Sequence, residues 1–133
     1  MKIKLDKIDK VFSQLIRRRA SWRCEKCGTY YPEGQRQGLH CSHIFGRAKK
    51  STRWSEINAV AHCHGCHAYL TANPVEFTEW ARGYLGEETF TKLRVQANQP
   101  ARLTNAIKEE IYQDLKAQLQ TQGEGDDFEG FNG

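Results

Sequence analysis

Ile8, Val11, Phe12, Leu15 and Ile16 recur at three- and four-residue intervals with polar residues between them. That period gathers them on one stripe and predicts an amphipathic helix near residues 6–20. Its last turn is Arg17-Arg18-Arg19, which suits the negative end of a helix. Leu39 to Phe45 reads as a short strand, Gly46 to Thr52 as a basic loop, and Trp54 to Ala61 as a second strand or extended segment. A helix follows, starting near Cys66 or His67. The next starts at Asn73-Pro74-Val75-Glu76, with Asn as cap, Pro at the first helical position and Glu three residues after the cap. Phe77, Trp80, Ala81 and Tyr84 give that helix a stripe suited to core packing. Gly86 to Gln96 is a further short helix. Thr104 caps a last one, whose Ile107, Ile111, Leu115 and Leu119 stripe packs on the body or on a second copy as a homodimer, two alternatives that the sequence leaves open. The pattern predicts an α+β domain with N- and C-terminal helices flanking a central segment.

Cysteine spacing changes the picture. Cys24 and Cys27 form one CxxC pair, and Cys63 and Cys66 form another. Two such pairs supply the four thiolates of a tetrahedral structural Zn²⁺ site, each pair from one tight turn. Gly28 relaxes the first turn. The chain is 38% hydrophobic with a mean hydropathy of −0.75, so its core is modest and a metal staple compensates. CxxC pairs in a chain that opens without an apolar block read as metal ligands in a reducing cytoplasm, not as disulfides. The fifth, Cys41, is either a buried thiol or part of a site. All five histidines (His40, His43, His62, His64 and His67) fall between or beside the two pairs. For His62 and His64 the expected role is that of exposed knuckle residues.

Charge adds a candidate partner. The net charge is +4, yet residues 123–133 contribute −4 through Glu124, Asp126, Asp127 and Glu129, so the rest carries about +8. Most of the excess lies before Trp54. A basic half of this kind is the electrostatic footprint of DNA binding, with Arg17, Arg18, Arg19, Lys49, Lys50 and Arg53 as phosphate-binding candidates. The Gly-rich acidic stretch from 123 reads as a disordered tail. The expected divisions are 1–21 (basic helix), 22–100 (zinc-stapled core), 101–122 (C-terminal helix) and 123–133 (tail).

Phosphodiester hydrolysis needs a base for water, a divalent ion for the leaving oxygen and a cation near the phosphate. His43, His67 and Arg47 are residues of those kinds, and Asn58 is placed to orient a loop or the base. The order Ser42-His43-Ile44, Asn58, Cys63-x-x-Cys66-His67 resembles the ββα-metal, or HNH, endonuclease family. Arg53-Trp54-x-Glu56-x-Asn58 with Thr71-Ala72-Asn73 is further similar to phage recombination nucleases of the NinG (Rap) type, and Cys41-Ser42-His43-Ile44 to the phage Ref nuclease. The resemblance covers roughly Trp22 to Tyr84. It implies a small ββα-metal core, His43 as general base, Asn58 as orienting residue, His67 as a ligand of a catalytic Mg²⁺ or similar ion, and phosphodiester cleavage in phage recombination or DNA processing. Many members carry Asp or His before the base, where this chain has Ser42. That leaves His40 or Cys41 as a substitute ligand, or a shell with fewer protein groups. The alternative from a different class is a non-catalytic zinc-finger DNA-binding protein. A third is a protein-interaction adaptor, against which the basic half argues.

Overall fold

A computed structural model describes residues 3–33 and 38–132, with side chains described up to residue 121. The order is α1 (Lys7–Arg19), β1 (Leu39–His43), β2 (Ala59–Cys63), α2 (His64–Ala72), α3 (Pro74–Leu85), α4 (Glu87–Ala97) and α5 (Asn105–Asn132), with one 3₁₀ turn at Glu56–Asn58 before β2. Among the described residues the fold is thus α+β, with five helices and a two-stranded antiparallel sheet. No helix among the described residues is long and apolar enough to cross a membrane.

α1 forms where the periodicity places it. Asp6 caps it by accepting from the Ile8 N–H, and Asp9 reaches back to the Asp6 N–H to complete a capping box. The chain then reverses through Ser21 and Trp22, both left-handed with φ of 55° and 60°. This is a strained conformation for residues with a Cβ. The Ser21 and Trp22 amides hold it by closing on the Arg18 and Arg17 carbonyls. Gly28, at φ 81°, turns the first knuckle as its sequence position implies.

In the sheet, Leu39 pairs with Cys63, Cys41 with Ala61 and His43 with Ala59. Strand side chains alternate, so these residues share one face. Ile8, Phe12, Leu15 and Ile16 of α1 pack there against Cys41, Ala59 and Leu115, while Leu39, Ala61, Cys24 and Cys63 form an adjoining cluster. The opposite face carries His40, Ser42, Val60 and His62 beneath α2 and α3. Covered on both sides, every residue of β2 is buried.

Several expectations shift. β1 ends at His43 and not at Phe45, because the Ile44 and Phe45 amides turn to the carbonyl and side-chain oxygens of Asn58. Residues 54–58 are turn and 3₁₀ helix, so the second strand starts only at Ala59. α2 starts at His64, earlier than expected, because Cys63 is its N-cap and its sulfur accepts from the Cys66 amide. Asn73 precedes α3 without capping it by its side chain, which donates instead to the Tyr69 carbonyl. Thr104 does cap α5, accepting from the Ile107 N–H at 3.2 Å. Of the two alternatives for the α5 stripe, packing on the body is the one seen, with Ile111, Leu115 and Leu119 against α1. The stretch from 123, expected as a disordered tail, continues the backbone of α5 to Asn132, and its side chains lie outside the described residues. His62, expected on the surface, is fully buried: the register turns it inward beneath Trp80 at 4.6 Å between ring centroids.

Candidate metal centre and adjoining histidine cleft

The two knuckles meet at one point. One ligand atom from each of Cys24, Cys27, Cys63 and Cys66 lies within 4.8 Å of the others. Cys27 Sγ and Cys63 Sγ are 3.8 Å apart, and a regular tetrahedron with Zn–S bonds of about 2.3 Å has edges of about 3.8 Å. The Cys27 amide faces Cys24 Sγ and the Cys66 amide faces Cys63 Sγ, each at 3.4 Å. These donors stabilise thiolate charge. Thr29, through its hydroxyl and backbone, brings the Cys27 thiol down to about 6. Burial and the neighbouring sulfurs push Cys66 up. An all-thiolate tetrahedral set fits Zn²⁺. Glu25 fastens the first knuckle to β2: its amide donates to the Ala61 carbonyl at 2.8 Å, and its carboxylate accepts from the Ala61 N–H at 2.7 Å and from the Tyr84 hydroxyl.

His43 ends β1 and His67 sits in α2, and both line one cleft of about 280 Å³ whose walls include Phe45, Leu70, Thr71 and Phe77. His43 Nε2 lies 2.9 Å from the Arg53 carbonyl. A carbonyl only accepts, so Nε2 carries the proton and Nδ1 keeps the lone pair. Burial first, and then the Arg47 cation, lower the pKa of His43 to about 4. The ring is therefore neutral at pH 7.

Asn58 is fully buried and holds the loop, not the His43 ring. Its amide nitrogen donates to the Phe45 and Thr52 carbonyls at 2.8 and 3.0 Å, and its oxygen accepts from the Phe45 N–H at 2.8 Å. His67 Nδ1 meets His40 Nδ1 at 2.9 Å. Burial, then His40, lower the pKa of His67. His40, His64 and His67 line a second cleft. Ser42 is fully buried on the same strand face as His40, and its hydroxyl has no hydrogen-bond partner among the described residues.

The cationic candidates divide. Arg53 is clamped to Asp9 and its side chain is only 12% exposed. Arg17 is buried, Arg18 donates to the Leu119 carbonyl, and Arg19 donates to the Glu56 and Ala59 carbonyls. Arg18, Arg19 and Arg53 thus tie α1 to α5, the sheet and the loop, Arg17 bonds Ser13 within α1, and Arg19 remains exposed, so a phosphate role for these side chains competes with contacts inside the fold. Lys49 and Lys50 lie on exposed surface, Lys49 reaching Asn98 at 3.0 Å. Arg47 is partly exposed, with its Nε 3.7 Å from Asp9. Sequence reasoning missed Asp9 and Glu25 as organising acids. Asp9 had one legible signal, its place three residues after Asp6 at a helix start. No family model matches the chain, and no curated protein or solved structure matches it either.

Proposed function

We propose that this protein is a zinc-stapled, divalent-metal-dependent endonuclease of the HNH type that hydrolyses DNA, with His43 as general base. One observation carries the reading. His43 is a neutral imidazole whose Nε2 is held by the Arg53 carbonyl, and it shares a cleft with His67. A base near a phosphodiester needs a free lone pair at neutral pH, and Nδ1 has one. The succession β1, β2, α2, with His43 on the first strand and His67 on the helix, is consistent with a ββα-metal core.

Structural Zn²⁺ is assigned to Cys24, Cys27, Cys63 and Cys66. For the catalytic ion the donors are His67 and His40, with Ser42, whose hydroxyl has no partner among the described residues, two positions from His40 on the same strand face. None of the residues lining the cleft is a carboxylate. Imidazole donors suit a borderline ion such as Zn²⁺, Co²⁺ or Ni²⁺, whereas Mg²⁺ prefers oxygen, so the expected Mg²⁺ is the poorer fit. Bound there, the ion supplies charge stabilisation to the leaving oxygen. The chain's own parts are His43, which takes the proton of the attacking water, Asn58, which fixes the loop, and Arg47, the cation that acts most strongly on His43. Lys49 and Lys50 are the loop cations open to phosphate.

A non-catalytic zinc-stapled DNA binder is favoured by one observation, the His40–His67 pairing, which gives both rings a partner without a second ion. Plasmid and oligonucleotide cleavage, run with a series of divalent ions on wild type beside His43→Ala, decides. The nuclease reading expects His43→Ala to lose on the order of 10²–10⁴-fold in rate while still shifting DNA on a gel. Wild type that binds DNA and leaves it intact with every ion supports the binder.

A further inference from the structure

α1 lies outside the segment that carries the family resemblance, yet its one buried acid reaches the residue behind His43. The Asp9 side chain is 4% exposed. Arg53 Nε donates to Asp9 Oδ1 at 3.3 Å and Arg53 Nη2 to Oδ2 at 2.7 Å. The Trp54 indole N–H donates to Oδ1 at 2.9 Å and the Asp6 amide to Oδ2 at 2.7 Å. Charge-assisted bonds of this geometry are short and directional. Arg53 Nη2 also donates to the Lys4 carbonyl at 3.0 Å. The far end of the same residue is the carbonyl that receives His43 Nε2 at 2.9 Å. Asn58 secures the loop only as far as Thr52. Beyond Thr52, the hydrogen bonds that the Arg53 and Trp54 side chains make among the described residues run to α1 or to the segment just before it.

We propose that Asp9 is a positioning residue for His43, acting through Arg53 to hold the imidazole as the Nε2–H tautomer with Nδ1 bare. This rests on His43 being the base, as argued above. α1 is then part of the catalytic architecture as well as a lid on the core. A carbonyl displaced by loss of the Asp9 clamp no longer selects one tautomer, and a ring with its proton on Nδ1 has no lone pair to present there. A purely structural ion pair predicts none of this.

The test uses the full, zinc-loaded chain. Long-range ¹H–¹⁵N spectra of the histidine rings are recorded for wild type, Asp9→Asn and Arg53→Lys, with His43→Ala assigning the signal. Cleavage is measured as kcat and KM on the same samples. Wild type is expected to show a single Nε2–H form of His43. Asp9→Asn is expected to show mixed tautomers, with kcat down about 10–100-fold from misorientation and KM little changed, and Asp9→Glu is expected to recover part of the loss. Arg53→Lys keeps the charge and serves if Asp9→Asn does not fold. A folded Asp9→Asn or Arg53→Lys protein with His43 still wholly Nε2–H overturns the inference, as does a rate loss that only tracks the unfolded fraction. Mixed tautomers in the variants of a wild type that never cuts DNA uphold the Asp9–Arg53–His43 linkage and sink the nuclease reading instead.

Discussion

Asn58→Ala tests the loop anchor most directly. The side chain is fully buried and makes three hydrogen bonds of 2.8 to 3.0 Å, all to backbone groups of Phe45 and Thr52. Each such bond contributes roughly 1 kcal/mol net, and a buried group left without a partner costs about 1–3 kcal/mol more. The Phe45 N–H loses its only side-chain acceptor, and two carbonyls lose donors. A loss of about 3–5 kcal/mol follows, a large part of the roughly 5–15 kcal/mol that holds a small domain together. Asn58→Asp sharpens the reasoning because it changes one atom. The acceptor for Phe45 survives, but an oxygen replaces the NH₂ group that faced two carbonyl oxygens, so like dipoles meet in a buried site. Equilibrium urea unfolding of zinc-loaded protein gives the stability change. Hydrogen exchange at the Phe45 amide shows whether the loop opens locally before the whole domain does. Asn58→Ala within about 0.5 kcal/mol of wild type, with Phe45 still protected, would refute the anchor.

Two further outcomes are expected. Metal analysis finds one Zn²⁺ per chain, and chelation unfolds the knuckles and the start of α2, since Cys63 is at once a ligand and the cap of that helix; an apo protein that melts like the holo form rules this out. His62→Leu stabilises the fold at pH 7 by about 1 kcal/mol, because both ring nitrogens are buried without hydrogen-bond partners among the described residues. Its advantage grows as pH falls, and the sign follows from linkage. Burial holds His62 down to about 4 in the folded state, below the unfolded value of about 6.5. The unfolded chain therefore binds the proton first, and wild-type stability drains between these two values while the variant is spared. Stability difference against pH, by urea titration from pH 7 to 5, checks it, and a difference that stays constant over that range contradicts it.

The local parts of this fold were legible in the chain. A 3.6-residue period at Ile8 to Ile16, a Pro one residue into α3, a Thr before α5 and two CxxC pairs each carry their structural meaning within a few residues. What stayed hidden depends on long-range placement. His62 and His40 are cross-strand partners, and only the register, set where Asn58 ends the ladder, decides that one is buried under Trp80 while the other meets His67. The arginine run at 17–19 reads as a phosphate grip because charge is visible in a sequence, whereas the carbonyls that engage Arg18 and Arg19, from residues 56, 59 and 119, are not. Asp9 and Arg53, 44 positions apart, gave no sign of being a pair. The candidate site was therefore readable as a set of residue types, and its wiring was not.

The Cys41 thiol sits in the core beneath α1, 9% exposed, and burial raises its pKa to about 12. A buried thiol that does not ionise is a poor nucleophile. The other four cysteines of the chain make up the metal cluster. Of those four, Cys27 is exposed and its thiol is brought down to about 6, so alkylating reagents and mild oxidants meet the native protein there first. The reactivity of that one sulfur then gauges zinc occupancy, and oxidative injury strikes the staple before it strikes the core.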